Sequence, residues 1–185
     1  MQWYSLLFKT EDKVIEIGGG DHPLYRPNVD IRPGPAVDIV ADMNEPLPIE
    51  SESYDGIFSQ FLLEHLRLPR VRPFLSEMHR ILKPGGRALI ITANLLEQAK
   101  ILIEKEETAD WNDDLIHMVF GGAPDYPENY HRSSLSPIYA NQLFKEAGFT
   151  EVNIFKHPEA IQIWGKSTDM IVEAKKSLVR IKHQL

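Results

Sequence analysis

Apolar and polar positions alternate along this chain in short runs, each ended by glycine, proline or an acid. The run from Val14 to Gly20 reads VIEIGGG. β-branched and apolar Val14, Ile15 and Ile17 predict a buried parallel strand, with one acid, Glu16, that needs a partner. Further strands are predicted over Asn28 to Ile31, Val37 to Met43, Tyr54 to Gln60 and Arg87 to Asn94. Between the last two, Val71, Leu75, Met78 and Leu82 recur at helical spacing, so Pro69 to Leu82 is an amphipathic helix stopped by Lys83-Pro84-Gly85-Gly86. LLEHL before it opens a short helix. Leu95 to Phe120 is helical and highly charged, Gly121 to Ser134 is loop, and Ser136-Pro137 starts a helix with Ser136 as N-cap and Pro137 at its first position. Tyr139, Leu143 and Ala147 form that helix's buried face. Glu151 to Lys156 and Asp169 to Lys175 read as the last two strands, with no crossover helix between them, which predicts an antiparallel final pair. The ends are a lead-in packed by Trp3, Leu6, Leu7 and Phe8, and a basic tail, Lys176 to Leu185, read as a frayed helix.

Strands alternating with helices imply a doubly wound, mostly parallel α/β sheet. In such sheets ligands sit outside the carboxyl ends of the strands, where Gly18, Gly19 and Gly20 stand. On their own the glycines are equally a tight turn. DHPLYRPNVDI follows them, with Pro23 and Pro27 four apart and no helical period, so no full helix is expected there. A dinucleotide fold would set a pyrophosphate on that missing helix. Asp30 ends the second strand, ten residues after Gly20, where an acid can accept two ribose hydroxyls; it is also a plausible turn residue before Arg32-Pro33-Gly34. Asp42 ends the third strand and could accept from an adenine amino group, or simply cap a turn.

Composition narrows the classes. A chain of 185 residues with 43% hydrophobic content suits one globular domain, 1–185. No apolar run approaches membrane-spanning length and the start lacks signal-peptide features. The absence of cysteine rules out disulfides and thiolate metal sites and fits a reducing interior, so a cytoplasmic location is expected. A net charge of −7 makes nucleic acid a poor default partner.

In order along the chain, EIGGG (Glu16–Gly20), VDI (Val29–Ile31), ADMNEPLP (Ala41–Pro48), YDGIFSQFLLEHL (Tyr54–Leu66), RILKPGGRALI (Arg80–Ile90) and EAGF (Glu146–Phe149) resemble the class I S-adenosylmethionine-dependent methyltransferases, most of all small ones that shorten the first helix. The resemblance implies a Rossmann-like methyltransferase fold with a seven-stranded sheet and an antiparallel hairpin last. It implies S-adenosylmethionine as cofactor, with Glu16, Gly18, Gly19 and Gly20 at its methionine half. Asp30, with Ile31 beside it, would hold the ribose. Asp42 and Met43 would hold the adenine, and Ser59, Gln60 and Phe61 would face cofactor and substrate. Glu16, Asp30 and Asp42, with no lysine among them, suit a sulfonium cation better than a pyrophosphate.

Methyl transfer is an in-line displacement, and a general base is needed only if the nucleophile must lose a proton. His65 and His131 are the candidates, since imidazole titrates near neutrality; each is also readable as structural or substrate-contacting. Tyr126, Tyr130, His131 and Arg132 would make the 121–134 loop a lid over a polar acceptor, or else a packed surface loop. The histidines show no close i, i+4 pair, so no metal is expected. The leading expectation is methyl transfer to a small-molecule acceptor, with no nucleic acid or membrane partner. The alternatives are a non-catalytic cofactor- or partner-binding relative and, less favoured, a dinucleotide oxidoreductase.

Overall fold

The computed structural model describes residues 7–122, 125–157, 162–163 and 166–179. Trp3 and Leu6 of the lead-in and residues 180–185 of the tail lie outside them; Lys176 to Val179, which are described, are not helical. The strands are β1 (Val14–Ile17), β2 (Asn28–Asp30), β3 (Ile39–Val40), β4 (Tyr54–Gln60), β5 (Leu82–Ala93), β6 (Glu151–Lys156), β7 (Gln162–Ile163), β8 (Lys166–Ser167) and β9 (Asp169–Lys175). The helices are α1 (Leu68–Ile81), α2 (Leu95–Thr108), α3 (Asp113–Phe120) and α4 (Pro137–Glu146).

Seven strands form one sheet in the order β3-β2-β1-β4-β5-β9-β6. β1 pairs in parallel with β2 and β4, β2 with β3, and β4 with β5, whereas β9 runs antiparallel to both β5 and β6. This is the expected doubly wound, mostly parallel sheet with an antiparallel end. β7 and β8 make a separate two-stranded ribbon in the turn-rich stretch before β9.

Three local readings need correction. The third strand is two residues long rather than seven. Asp38 turns its carboxylate back to Asn28 N–H, and Asp42 accepts from Asn44 N–H at 2.8 Å, a turn that ends the pairing. The fifth strand begins at Leu82, directly after α1; Lys83 to Gly86 bulge out between the Tyr54–Leu82 and Gly56–Arg87 pairs. The segment 95–120 is two helices. Ala109 closes α2 in the left-handed region at φ 52°, and the Asn112 side chain opens α3 by accepting from Leu115 N–H. By contrast, Ser136 caps α4 as read, accepting from Tyr139 N–H.

The larger core lies where α1 and α4 cover the sheet, with Leu75, Met78, Ile81, Leu143 and Phe144 packed on Ile15, Ile57 and Ile90. Val14, Phe58, Leu89, Ile91 and Ile171 form a second cluster, partly covered by Leu7, Phe8 and Tyr25. No helix stands between Gly20 and Asn28. Tyr25 from that segment lies 5.4 Å from the Phe58 ring and Phe8 packs edge-on at 5.6 Å from Tyr25, so aromatic side chains cover sheet that a first helix would otherwise shield. Among the described residues no helix is long and apolar enough to cross a membrane.

Candidate functional site

The carboxyl ends of β1, β2 and β4 open on one cavity of about 300 Å³. It is built from the glycine loop upward. Gly18 N–H donates to Val29 O at 2.7 Å, which ties the loop to β2. Gly19 N–H donates to Asn28 Oδ1 and Gly20 N–H to Asp30 Oδ2, each at 3.0 Å. Gly18 and Gly20 sit at φ 81° and 54°, where a side chain is strained. A Cβ on Gly20 would meet nothing within 4 Å, so this backbone faces open space in the cavity.

Asp30 is 8% exposed, and its second oxygen accepts from Arg32 N–H at 3.0 Å. Both oxygens are thereby oriented, and each keeps a lone pair for a ligand hydroxyl. Ile31, Asp42 and Met43 line the same cavity, as do Gln60 and Phe61 at the end of β4. Phe61 holds φ 50°, costly for an aromatic residue, where the chain leaves β4. On the remaining side stand His65, Tyr126 and Arg132. The 125–132 stretch is tied down by Arg132 and Ser133 N–H groups donating to Glu64 O, at 2.8 and 3.1 Å. The Arg32 guanidinium lies 4.4 Å from the Tyr126 ring centroid, joining the end of β2 to this loop across the cavity.

Four residues singled out in the sequence are outside the lining. Glu16 is 3% exposed and turns its carboxylate onto the N–H groups of Leu24 and Tyr25, at 2.6 and 2.7 Å, so it holds the helix-free segment in place. Burial raises its pKa, against those two hydrogen bonds. Ser59 is buried within β4. Tyr130 points outward and donates its hydroxyl to Asp125 Oδ1 at 2.6 Å. His131 stands behind His65, with ring centroids 5.0 Å apart at 70°.

The near-neutral titration expected of His65 is not what its surroundings produce. Burial, and then the neighbouring His131, push its pKa down to about 4. Burial also lowers His131. Nδ1 of His65 faces Tyr130 O at 3.3 Å and Nδ1 of His131 faces Val119 O at 3.2 Å. A carbonyl only accepts, so each of these contacts is made by the tautomer protonated on Nδ1. Beside them Glu64 is 3% exposed and accepts from Thr92 Oγ1 at 2.8 Å; burial raises its pKa to about 7. The expectation of no metal rested on sequence spacing, yet Glu64, His65 and His131 place one ligand-capable atom each within 4.8 Å of the others.

Sequence reasoning missed Asn28, Arg32, Asn44, Glu128 and Asn129. Asn28 is fully buried, and it had a signal: a polar residue opening a buried strand needs a partner. Arg32 had none, because its use depends on Tyr126 standing opposite. The lining holds three carboxylates, Asp30, Asp42 and Glu128, against the guanidiniums of Arg32 and Arg132, so it is less uniformly acidic than the three acids suggested.

The family model for a methyltransferase domain matches residues 25–90. No curated protein matches the chain in sequence. Solved structures match it in fold. An S-adenosylmethionine-dependent methyltransferase of Methanosarcina mazei is 14% identical, covering 97% of this chain and 99% of its own, with a TM-score of 0.66. One from Archaeoglobus fulgidus is 17% identical, covering 94% and 90%, with a TM-score of 0.65. A Thermotoga maritima protein, described as a possible histamine N-methyltransferase, is 18% identical, covering 95% and 87%, with a TM-score of 0.61. Identities this low establish a common fold with these proteins, and the methyltransferase-domain match is confined to residues 25–90.

Proposed function

We propose that this protein transfers the methyl group of S-adenosylmethionine to a small, polar acceptor that enters beneath the 125–132 loop. The observation that carries the reading is the convergence of the glycine loop, Asp30 and the end of β4 on one cavity. In this reading the backbone of Gly18, Gly19 and Gly20 lies along the methionine half of the cofactor. Asp30 accepts the ribose hydroxyls with oxygens already oriented by Gly20 and Arg32. Ile31 and Met43 pack on the adenine, and Asp42 accepts from its amino group. Gln60 and Phe61 stand near the methyl. Glu16 and Ser59 support the loop and strand without touching the ligand.

The cavity volume of about 300 Å³ lies at the low end of ligand pockets, roughly 300–1,000 Å³. Little space remains once a cofactor is bound, which favours a small acceptor or a narrow end of a larger one. Arg132, Tyr126 and His65 give the acceptor side a positive charge, a ring face and an imidazole. They suit a polar molecule with some negative charge. Rate comes largely from holding the acceptor atom on the S–CH₃ axis. Tyr130 and His131 hold the loop rather than touch the acceptor.

Calorimetry with S-adenosylmethionine, its demethylated product and NAD tests the cofactor reading; tight binding of NAD alone would overturn it. Radiolabelled methyl transfer into a fractionated metabolite extract tests turnover. Cofactor binding without any labelled product would leave a binding protein rather than an enzyme.

A further inference from the structure

The group formed by Glu64, His65 and His131 has a second use that methyl transfer does not require. Its members come from two distant stretches of chain, the turn after β4 and the loop before α4. One ligand-capable atom from each lies within 4.8 Å of the others. Both histidines point Nδ1 at a backbone carbonyl, Tyr130 O and Val119 O. In the tautomer that donates from Nδ1, each Nε2 carries a lone pair, which is how metal-bound imidazoles are held and oriented. Glu64 is buried and its carboxylate is held by the Thr92 hydroxyl. Among the described residues no lysine or arginine forms an ion pair with it. A buried carboxylate facing two imidazoles is a set of donors awaiting a cation or a proton.

We propose that Glu64, His65 and His131 form a two-histidine, one-carboxylate site for a divalent transition-metal ion, open to the cavity on its His65 side. Two imidazoles and one carboxylate suit zinc or iron(II); magnesium and calcium prefer all-oxygen sets. Zinc bonds of about 2.0–2.2 Å require the three donor atoms to draw in to roughly 3.3 Å of one another. Three protein ligands leave a coordination position unfilled, and of the three side chains His65 lies in the cavity wall. A polar acceptor or a water could occupy the unfilled position. The site stands whether or not the protein transfers methyl groups.

The test uses the untagged full chain, stripped with chelator and titrated with zinc by calorimetry and with cobalt(II) by visible absorption. One equivalent of metal should bind at micromolar concentration or tighter, with the intense visible bands of a cobalt(II) site of low coordination number. His65→Gln and His131→Gln should each weaken binding by at least about 10-fold, while the control His22→Gln leaves it unchanged. X-ray absorption of the wild-type zinc protein should show two imidazoles and oxygen, a readout that does not rely on the variants folding. Absence of one-equivalent binding, or binding that survives loss of both histidines, or a shell with fewer than two imidazoles, would each overturn the site and leave a neutral hydrogen-bonded cluster.

Discussion

Asn28 accepts the Gly19 N–H at 3.0 Å while its own amide donates to the carbonyls of Gly20 and Ala36, both at 2.9 Å. One buried amide thus joins the glycine loop, the second strand and the loop before β3. A Cβ on Gly19 would stand 2.6 Å from Asn28 Oδ1 and 2.9 Å from Pro23 Cβ, so the loop has no room for a side chain there. Asn28→Ala removes three hydrogen bonds worth roughly 0.5–1.5 kcal/mol each, and should cost about 2–4 kcal/mol of stability by denaturant unfolding. Gly19→Ala should keep the fold and weaken binding of the demethylated cofactor by about 10-fold or more, since each 1.4 kcal/mol lost is a factor of ten. An alanine variant with unchanged affinity would place the cofactor elsewhere.

Asp30→Ala should weaken cofactor binding about 10- to 100-fold, because hydrogen bonds to a charged acceptor contribute roughly 1.5–3 kcal/mol each. Calorimetry reads this directly. Glu151→Ala on the far edge strand is a suitable control and should change nothing. Asp38→Ala is not, since Asp38 pairs with Arg26 and holds Asn28 N–H at 2.6 Å.

The contact of Arg32 with Tyr126 predicts that binding at the end of β2 is felt in the loop. Amides of residues 125–133 should gain hydrogen-exchange protection when demethylated cofactor binds. In Arg32→Ala that gain should shrink while protection at Gly18 to Gly20 remains. Equal protection in both proteins would mean that the loop closes without the arginine.

His79 supplies a pH prediction. Its ring packs edge-on against Phe149 at 5.2 Å, and burial, followed by the nearby Lys176, lowers its pKa below the usual 6.5. The folded state therefore resists the proton that the unfolded state accepts. Stability from this group is fully present above about pH 6.5 and is lost as pH falls through the folded pKa. Melting temperatures from pH 7.5 to 5 should fall less steeply in His79→Phe than in wild type. Parallel curves would show that His79 is not a source of the acid sensitivity.

Fold and site differ in how far they can be read from the residues. Most of the strands and the missing first helix were legible because they depend on local rules. Alternation marks which side of a strand is buried, Pro23 and Pro27 deny a helix its hydrogen bonds, and Ser136 with Pro137 starts one. The three glycines, Asp30 and Asp42 were legible for the same reason, standing at strand ends where a parallel sheet exposes its ligand edge. The tertiary structure alone decided what each buried polar group faces. Glu16 sits on a strand whose carboxyl end reaches the cavity, yet its side chain meets the backbone of Leu24 and Tyr25, a path no periodicity encodes. The bulge at Lys83 to Gly86 and the two-residue β3 depend likewise on what lies alongside. Glu64, His65 and His131 are the extreme case. Metal spacing rules look for donors close in sequence, and these are gathered only because the 125–133 backbone is bonded to Glu64 O. Sequence periodicity records which side chains are buried; the loops' paths through space determine which of them meet.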